Sequence, residues 1–543
     1  MEPTYRLPRD VEPHRYELTL TPDLERFTFA GEERVHVTVH EPVRQVVLNA
    51  LDLEILEAEL VADDGRRIPA SVSYDLDEER AVLTLDEEVA PGEWWLHATF
   101  TGVIAESLRG WYRSTFTGDD GEVRTIATTQ FEATDARRAF PCWDEPDRKA
   151  VFSVTLIVDH DLFAVSNGPI AEDEDLGNGK RQVRFADTMK MSTYLVALVV
   201  GPLVATEPLD VDGTPVRVVC VPGKDHLADF ALEIAAHSLR YFTAYFGIPY
   251  PAEKLDLIAL PDFAMGAMEN LGAVTFRESV LLTDRAAASR VELERIADVV
   301  AHEIAHMWFG DLVTMKWWNG IWLNEAFATF MEIMGVDQFR PDWERWSSFG
   351  LDRASALLTD GLATTRAIEF PVEKPSEAEG MFDILTYEKG GAVLRMLEQY
   401  LGEDRFRDGI RHYLRAHEYG NAETTDLWDA IEEASGEPVR ATMDSWIFQG
   451  GHPVLRVDCG EDGSSVVLRQ RRFRYRASDD DADIRWQIPV LIRAGVDGAE
   501  QRRRLLLSDE SATLDFGGKV AWVMANDGAS GFYRTSYDSE LLG

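Results

Sequence analysis

Cysteine is scarce: Cys142, Cys220 and Cys459 are the three in 543 residues. They are too few and too far apart for a disulfide framework, and no CxxC pair is present to hold a structural metal, which suits a reducing compartment. Long hydrophobic runs are also missing. The longest apolar stretch, Tyr194 to Ala205, is broken by Gly201-Pro202 and falls short of the ~20 residues a membrane-spanning helix needs. The first ten residues contain no apolar segment of the kind a secretory leader carries, so the expectation is a soluble, cytoplasmic chain. Positive charge is in deficit, with 54 Lys and Arg against 96 Asp and Glu and a net charge of −42. A field of that sign repels phosphate backbones and anionic lipid, which argues against nucleic-acid and membrane partners. The excess reads as an acidic, solvated surface. Only nine of the 54 cationic residues are lysine, which hints at a salt-rich cell interior or a GC-rich genome; composition does not separate the two.

What is present is the material of large cores. Apolar residues make up 45% and charged residues 28%, which excludes a disordered or collagen-like chain. At ~150 residues per domain the length allows three to four domains. Residues 1–206 alternate apolar and polar, as in Tyr16–Leu20, Arg34–Val39 and Ala81–Leu85, with turn clusters between them, and predict a β-rich domain. Residues 207–450 turn helical, most clearly over Ser289–Phe309 and Thr425–Ala434. Strand patterns return over 451–543, in Val454–Val457, Ser465–Leu468, Trp486–Ile492 and Arg504–Leu507, and predict a small β-sandwich. The fold class is therefore multidomain α+β. The acidic runs Glu172–Asp175 and Asp479–Asp483 read as loops.

The most informative segment is His302-Glu303-Ile-Ala-His306. Ser289 followed by Glu292 forms a capping box ahead of an apolar periodic run, and Gly310 reads as the stop, so both histidines fall inside one helix. Four residues turn a helix by ~400°, which places the two imidazoles on one face, able to share one Zn²⁺. Glu303 is rotated ~100° away, out of the ligand direction but within reach of a metal-bound water whose proton it could take. A catalytic zinc needs a third protein ligand. Glu325, nineteen positions after His306, opens a second helix predicted from about Asn324 to Met334 that can lie antiparallel to the first.

This constellation resembles the M1 family of zinc aminopeptidases, gluzincins with an HExxH-x18-E ligand set. Forty residues upstream, Gly266-Ala267-Met268-Glu269-Asn270 is similar to that family's exopeptidase signature. Thr129–Pro146, Phe382–Gly390 and Asn526–Tyr537 resemble further family segments, so the likeness covers essentially the whole chain. The resemblance implies a β-rich first domain, a thermolysin-like α/β catalytic domain and a β-sandwich. It implies one Zn²⁺ per chain on His302, His306 and Glu325, with Glu303 as general base and Tyr387 stabilising the oxyanion. It also implies that Glu132 and Glu269 bind the free ammonium of a peptide substrate, and that Gln130 and Met265 wall the first side chain. Glycine at 266 would allow close approach to an extended peptide.

Three departures from the family pattern stand out. Gly320 stands where an acidic residue is common, and Ala326 where Gly is frequent. Neither is a ligand. Many relatives continue into a long helical domain that covers the cleft, and this chain stops where that domain would begin. It is expected to be either a naturally short form with an open cleft or a truncated chain. Three competing functions have less support in the sequence. An epoxide-hydrolysing relative would need a deep apolar channel, an endopeptidase is opposed by the exopeptidase segment, and an inactive scaffold is opposed by a complete set of catalytic residues. The sequence leaves oligomeric state, preferred first residue and physiological peptide open.

Overall fold

In the computed structural model, which describes residues 5–461, 463–476 and 484–542, the alternating segments pair as the pattern predicts. Tyr16, Leu18 and Leu20 of strand Val11–Asp23 are buried against Val35 and Val37 of Thr28–Val39, with Tyr16 opposite Val35. On its other edge the first strand runs parallel to Val151–Asp159, and Tyr16 stacks on Phe152 at 4.8 Å. Among the described residues these strands belong to a ten-stranded sheet. Its order is Ile170–Asp175, Lys180–Phe185, Val151–Asp159, Val11–Asp23, Thr28–Val39, Gly92–Val103, Leu53–Val61, Arg67–Asp75, Arg80–Val89, Val43–Asn49. A four-stranded sheet, Phe163–Ser166, Leu198–Gly201, Val123–Gln130 and Gly110–Thr117, carries Gln130 at a strand end.

One expectation fails here. Glu172–Asp175 is no loop but part of the edge strand Ile170–Asp175. Its side chains are exposed, and Arg184 and Arg181 of the neighbouring strand pair with Glu172 and Asp173. Opposite-charge cross-strand pairs make an acidic strand tolerable, and the charge protects the sheet edge. The second acidic run, Asp479–Asp483, lies outside the described residues.

From residue 204 a mixed sheet takes over, built on the parallel strands Thr214–Cys220, Leu255–Leu260 and Ala273–Arg277. The short strand Ala267–Met268 pairs antiparallel to the last of these and forms one wall of the site. Helices α1 (Asp229–Phe246), α2 (Arg290–His306), α3 (Trp322–Phe339), α4 (Arg345–Asp360), the single turn α5 (Pro375–Ala378) and α6 (Gly390–Leu401) follow. After them come α7 (Glu403–His417), α8 (Thr424–Ser435) and α9 (Val439–Ile447). Helix α3 is buried nearly all round, as a central helix should be. The C-terminal strands form a four-stranded and a three-stranded sheet. Leu455, Val457, Val466, Leu468, Val490 and Ile492 join one buried core there. No helix among the described residues is long and apolar enough to cross a membrane.

Candidate metal centre and active site

Helix α2 begins as the sequence predicts. Ser289 Oγ accepts the Glu292 N–H at 3.3 Å, and Glu292 returns the bond by accepting the Ser289 N–H at 2.8 Å. It ends earlier than predicted, at His306 and not at Gly310. The 306–313 turn explains the difference: Asp311 N–H donates to the His306 carbonyl at 3.0 Å, and Gly310, with φ +133°, reverses the chain. Tyr194 steadies this turn from the first β-rich region, donating to the Gly310 carbonyl at 3.3 Å and accepting from Asn324 at 3.2 Å.

Helix α3 starts two residues earlier and ends five later than predicted, with Glu325 in its first turn. The two helices run antiparallel: His306 meets Glu325, and His302, one turn back along α2, meets both Glu325 and Glu332. The Nε2 atoms of His302 and His306 lie 3.3 and 3.5 Å from the same Glu325 Oε2. Two donors on one tetrahedral ion at ~2.0–2.2 Å stand ~3.3–3.6 Å apart, so this spacing suits a shared cation. The outer nitrogens are engaged elsewhere: His302 Nδ1 with Glu332 at 2.6 Å and His306 Nδ1 with the Phe309 carbonyl at 2.9 Å. Each Nδ1–H therefore donates outward, and each Nε2 is turned toward the common point.

The surroundings are short of positive charge. Glu132 Oε1, Glu269 Oε1 and Glu303 Oε2 are buried without a hydrogen-bond partner among the described residues. Burial pushes Glu303 up to about 8, with Glu269 and Glu325 adding to the effect and the two histidines opposing it. Burial and neighbouring carboxylates also raise Glu132, and Glu269 is raised chiefly by burial. Glu325 goes the other way. Burial would raise it, but His306 and His302 outweigh burial and hold it at about 2. Burial would lower His306, yet Glu269 and Glu325 lift it to about 10, and His302 is raised well above its ordinary value despite burial. A pocket that drives its histidines toward the charged form while stranding carboxylate oxygens has room, electrostatically, for a divalent cation and a further ligand cation.

Tyr387 lies across this centre. Its ring stacks on His302 at 6.0 Å and 17°, and its hydroxyl faces the Glu325 carboxylate. Burial and the Glu325 and Glu132 carboxylates push the phenol well above its usual value, so it stays a donor. A cavity of ≈ 270 Å³ opens over the donors, and Gln130, Glu132, Met265, Gly266, Ala267, Glu269 and Tyr387 line it. Met265 stands at its rim, 46% exposed. Gln130 donates to the Met268 sulfur at 3.3 Å and leaves its carbonyl oxygen unpaired.

Two residues of the predicted set do not line the cavity. Met268 is buried behind Gln130, and Asn270 is buried with its amide on Thr275 at 3.1 Å, so both brace the wall. At Gly266 an added Cβ would meet nothing within 4 Å and φ is not positive, so the backbone itself does not require glycine. Its carbonyl accepts the Arg277 N–H at 2.9 Å. Ala326 is accommodated because Gly390 faces it, and Gly320 sits close to Met315. Sequence reading missed Glu332, although its place seven residues after Glu325 on the same helix face was a usable signal.

Comparison with known proteins agrees with this geometry. The peptidase M1 N-terminal domain matches residues 12–195, and the peptidase family M1 domain matches residues 230–446. "Aminopeptidase M1-C" of Oryza sativa subsp. japonica is 42% identical over 99% of this chain and 61% of its own length. "Aminopeptidase M1" of Arabidopsis thaliana is 41% identical over 99% and 62%. "Puromycin-sensitive aminopeptidase" of Caenorhabditis elegans is 40% identical over 99% and 57%. The chain thus spans about three-fifths of the length of these curated relatives. Two matching domains in the family's order, with near-complete coverage of the chain at this identity, lead to one conclusion: the chain belongs to peptidase family M1.

Proposed function

We propose that this chain is a zinc-dependent aminopeptidase that hydrolyses the N-terminal peptide bond of peptides. The observation that carries the reading is the convergence of His302, His306 and Glu325 beside two unpaired buried carboxylate oxygens, on Glu132 and Glu269. The donor set, two imidazoles and one carboxylate with their outer bonds satisfied, fits a catalytic zinc. The names of its relatives support the activity. In this reading residues 1–206, 207–450 and 451–543 form three domains, the middle one holding the ligands. Cys142 and Cys220, buried as thiols, suit a cytoplasmic setting.

Bound zinc would supply a Lewis acid for the scissile carbonyl and a water of lowered pKa. The chain's residues do the rest. Glu132 and Glu269 take the substrate ammonium, whose charge satisfies oxygens that otherwise lack partners. Holding the amino group there places the first peptide bond beside Glu303. With a cation held by His302, His306 and Glu325, Glu303 would be ionised despite its burial, and as a carboxylate it takes a proton from water and later delivers it to the departing amine. The Tyr387 hydroxyl donates to the oxygen that gains charge as the carbonyl becomes tetrahedral. Gln130 and Met265 border the first side chain.

Elemental analysis of the purified chain, paired with fluorogenic aminoacyl substrates and their N-acetylated counterparts, tests this. One zinc per chain, loss of turnover on chelation and discrimination against acetylated substrates are expected. Equal cleavage of acetylated substrates, or turnover indifferent to chelation, would overturn it.

A further inference from the structure

Tyr387 is carried by an uncommon piece of backbone. Leu385–Lys389 forms one π-helical turn, a form found at functional sites and maintained by what surrounds it. On the N-terminal side Asp383 Oδ1 accepts the N–H groups of Leu385 and Thr386 at 2.8 and 3.2 Å, and Arg366 grips the same oxygen at 2.7 Å. On the C-terminal side the anchor is Lys389, two residues beyond the tyrosine and fully buried. Its ammonium stands 3.0 Å from Asp360 Oδ2 and donates to the Gly451 carbonyl at 3.2 Å.

Asp360 is itself held. Its Oδ1 accepts the Thr365 hydroxyl at 2.6 Å and the Gly451 N–H at 2.9 Å, and His452 Nδ1 lies 3.4 Å from its Oδ2. His452 is fully buried, stacks on Phe473 at 5.1 Å and accepts from Arg534 Nε at 3.3 Å. Arg534 belongs to the strand Arg534–Tyr537, so the last strand of the C-terminal sheets reaches the tyrosine's turn through four side chains.

A second constraint fixes distance. Gly390 follows Lys389, and a Cβ built on it would lie 2.5 Å from the Cβ of Ala326, the neighbour of Glu325. The two backbones meet at a spacing no larger residue allows, which sets Tyr387 against Glu325. Asp360, Lys389 and His452 do not line the cavity. A fully buried ion pair is a weak source of net stability, because desolvation offsets its attraction, but it selects one arrangement over others.

We propose that Lys389, clamped by Asp360 and the Gly451–His452 segment, is a positioning residue for Tyr387, and that the C-terminal sheets thereby belong to the catalytic apparatus. The inference rests on the role given to Tyr387 above. The test measures kcat, KM, zinc content and melting for Lys389→Met combined with Asp360→Asn, which leaves no unpaired buried charge, in the parent and in a Tyr387→Phe background. In the parent, kcat falls ~10- to 100-fold, with KM and zinc content unchanged, as misplacement of about an ångström produces. In the Tyr387→Phe background the same pair costs less than about twofold, since the group being positioned is gone. Gly390→Ala reproduces the kcat loss, and adding Ala326→Gly, which reopens the contact, restores most of it. Equal losses in both backgrounds, an unchanged kcat in the charge-pair variant, or no rescue by Ala326→Gly would each overturn the inference. Should the charge-pair variant fail to fold, the Gly390→Ala rescue decides the question. A Tyr387→Phe enzyme with full kcat would instead sink the assignment of Tyr387 itself.

Discussion

Glu332 Oε2 accepts from His302 Nδ1 at 2.6 Å, the shortest of the bonds that orient the candidate ligands. That contact fixes which nitrogen of His302 faces the common point and makes it a stronger donor. Glu332→Ala should weaken zinc binding by ~10- to 100-fold while leaving the fold intact. Competition with a chelator of known affinity measures it, and unchanged affinity would show that Glu325 and the helix alone orient the ring.

Glu303 stands beside His302 on α2 with one carboxylate oxygen unpaired, so its loss should touch chemistry and not metal content. Glu303→Gln is expected to retain one zinc per chain and to lower kcat by ~10²- to 10⁴-fold, the usual contribution of a general base. Near-normal turnover in the zinc-loaded variant would contradict the assignment.

In the proposed mechanism the hydroxyl of Tyr387 is a donor whose bond strengthens only as charge develops on the substrate oxygen. Tyr387→Phe should therefore lower kcat by ~10²- to 10³-fold and change KM little. A variant that raised KM at constant kcat would show a binding role instead.

In the proposed mechanism Glu269 and Glu132 differ from Tyr387 in facing the substrate before reaction. Glu269→Gln keeps the shape of the wall and removes a charge from the ammonium site, so KM for aminoacyl amides should rise at least tenfold. Discrimination against N-acetylated substrates should shrink with it. Comparing kcat/KM for the free and acetylated pair checks this, and an unchanged ratio would remove Glu269 from the site.

These residues were legible in sequence to different degrees, for physical reasons. The capping box Ser289–Glu292 and the i, i+4 histidines are local, so spacing alone puts them on one helix face. Glu325 was readable because a helix must turn back to bring a third ligand. The edge strand at Glu172–Asp175 was not, because its stability comes from arginines on the neighbouring strand and not from its own propensity. The early end of α2 depends on the turn that Gly310 makes with Val313, a contact the helical pattern through Phe309 conceals. Least legible was the link from Asp360 to Lys389 and His452, whose partners lie 29 to 92 residues apart and form a unit only once the core has packed.

Lys149 offers a test of how the first β-rich region grips the turn after helix α2. Its buried ammonium donates to the carbonyls of Asp311 and Leu312, in the turn that follows α2, at 3.0 and 3.2 Å. Burial pulls its pKa down to about 7, with Lys190 adding and Asp311 opposing. Between about pH 7 and its ordinary value of 10.5 the unfolded chain holds a proton at this site that the folded chain has released. Unfolding then takes up a proton, so this group's contribution to stability rises as pH increases through that window. Lys149→Met removes the titration. The unfolding free energy of the parent should therefore gain on that of the variant between pH 7 and pH 10, measured by denaturant titration at fixed ionic strength. A difference that stays flat or narrows with rising pH would show that Lys149 remains charged in the fold and holds the turn as a cation throughout.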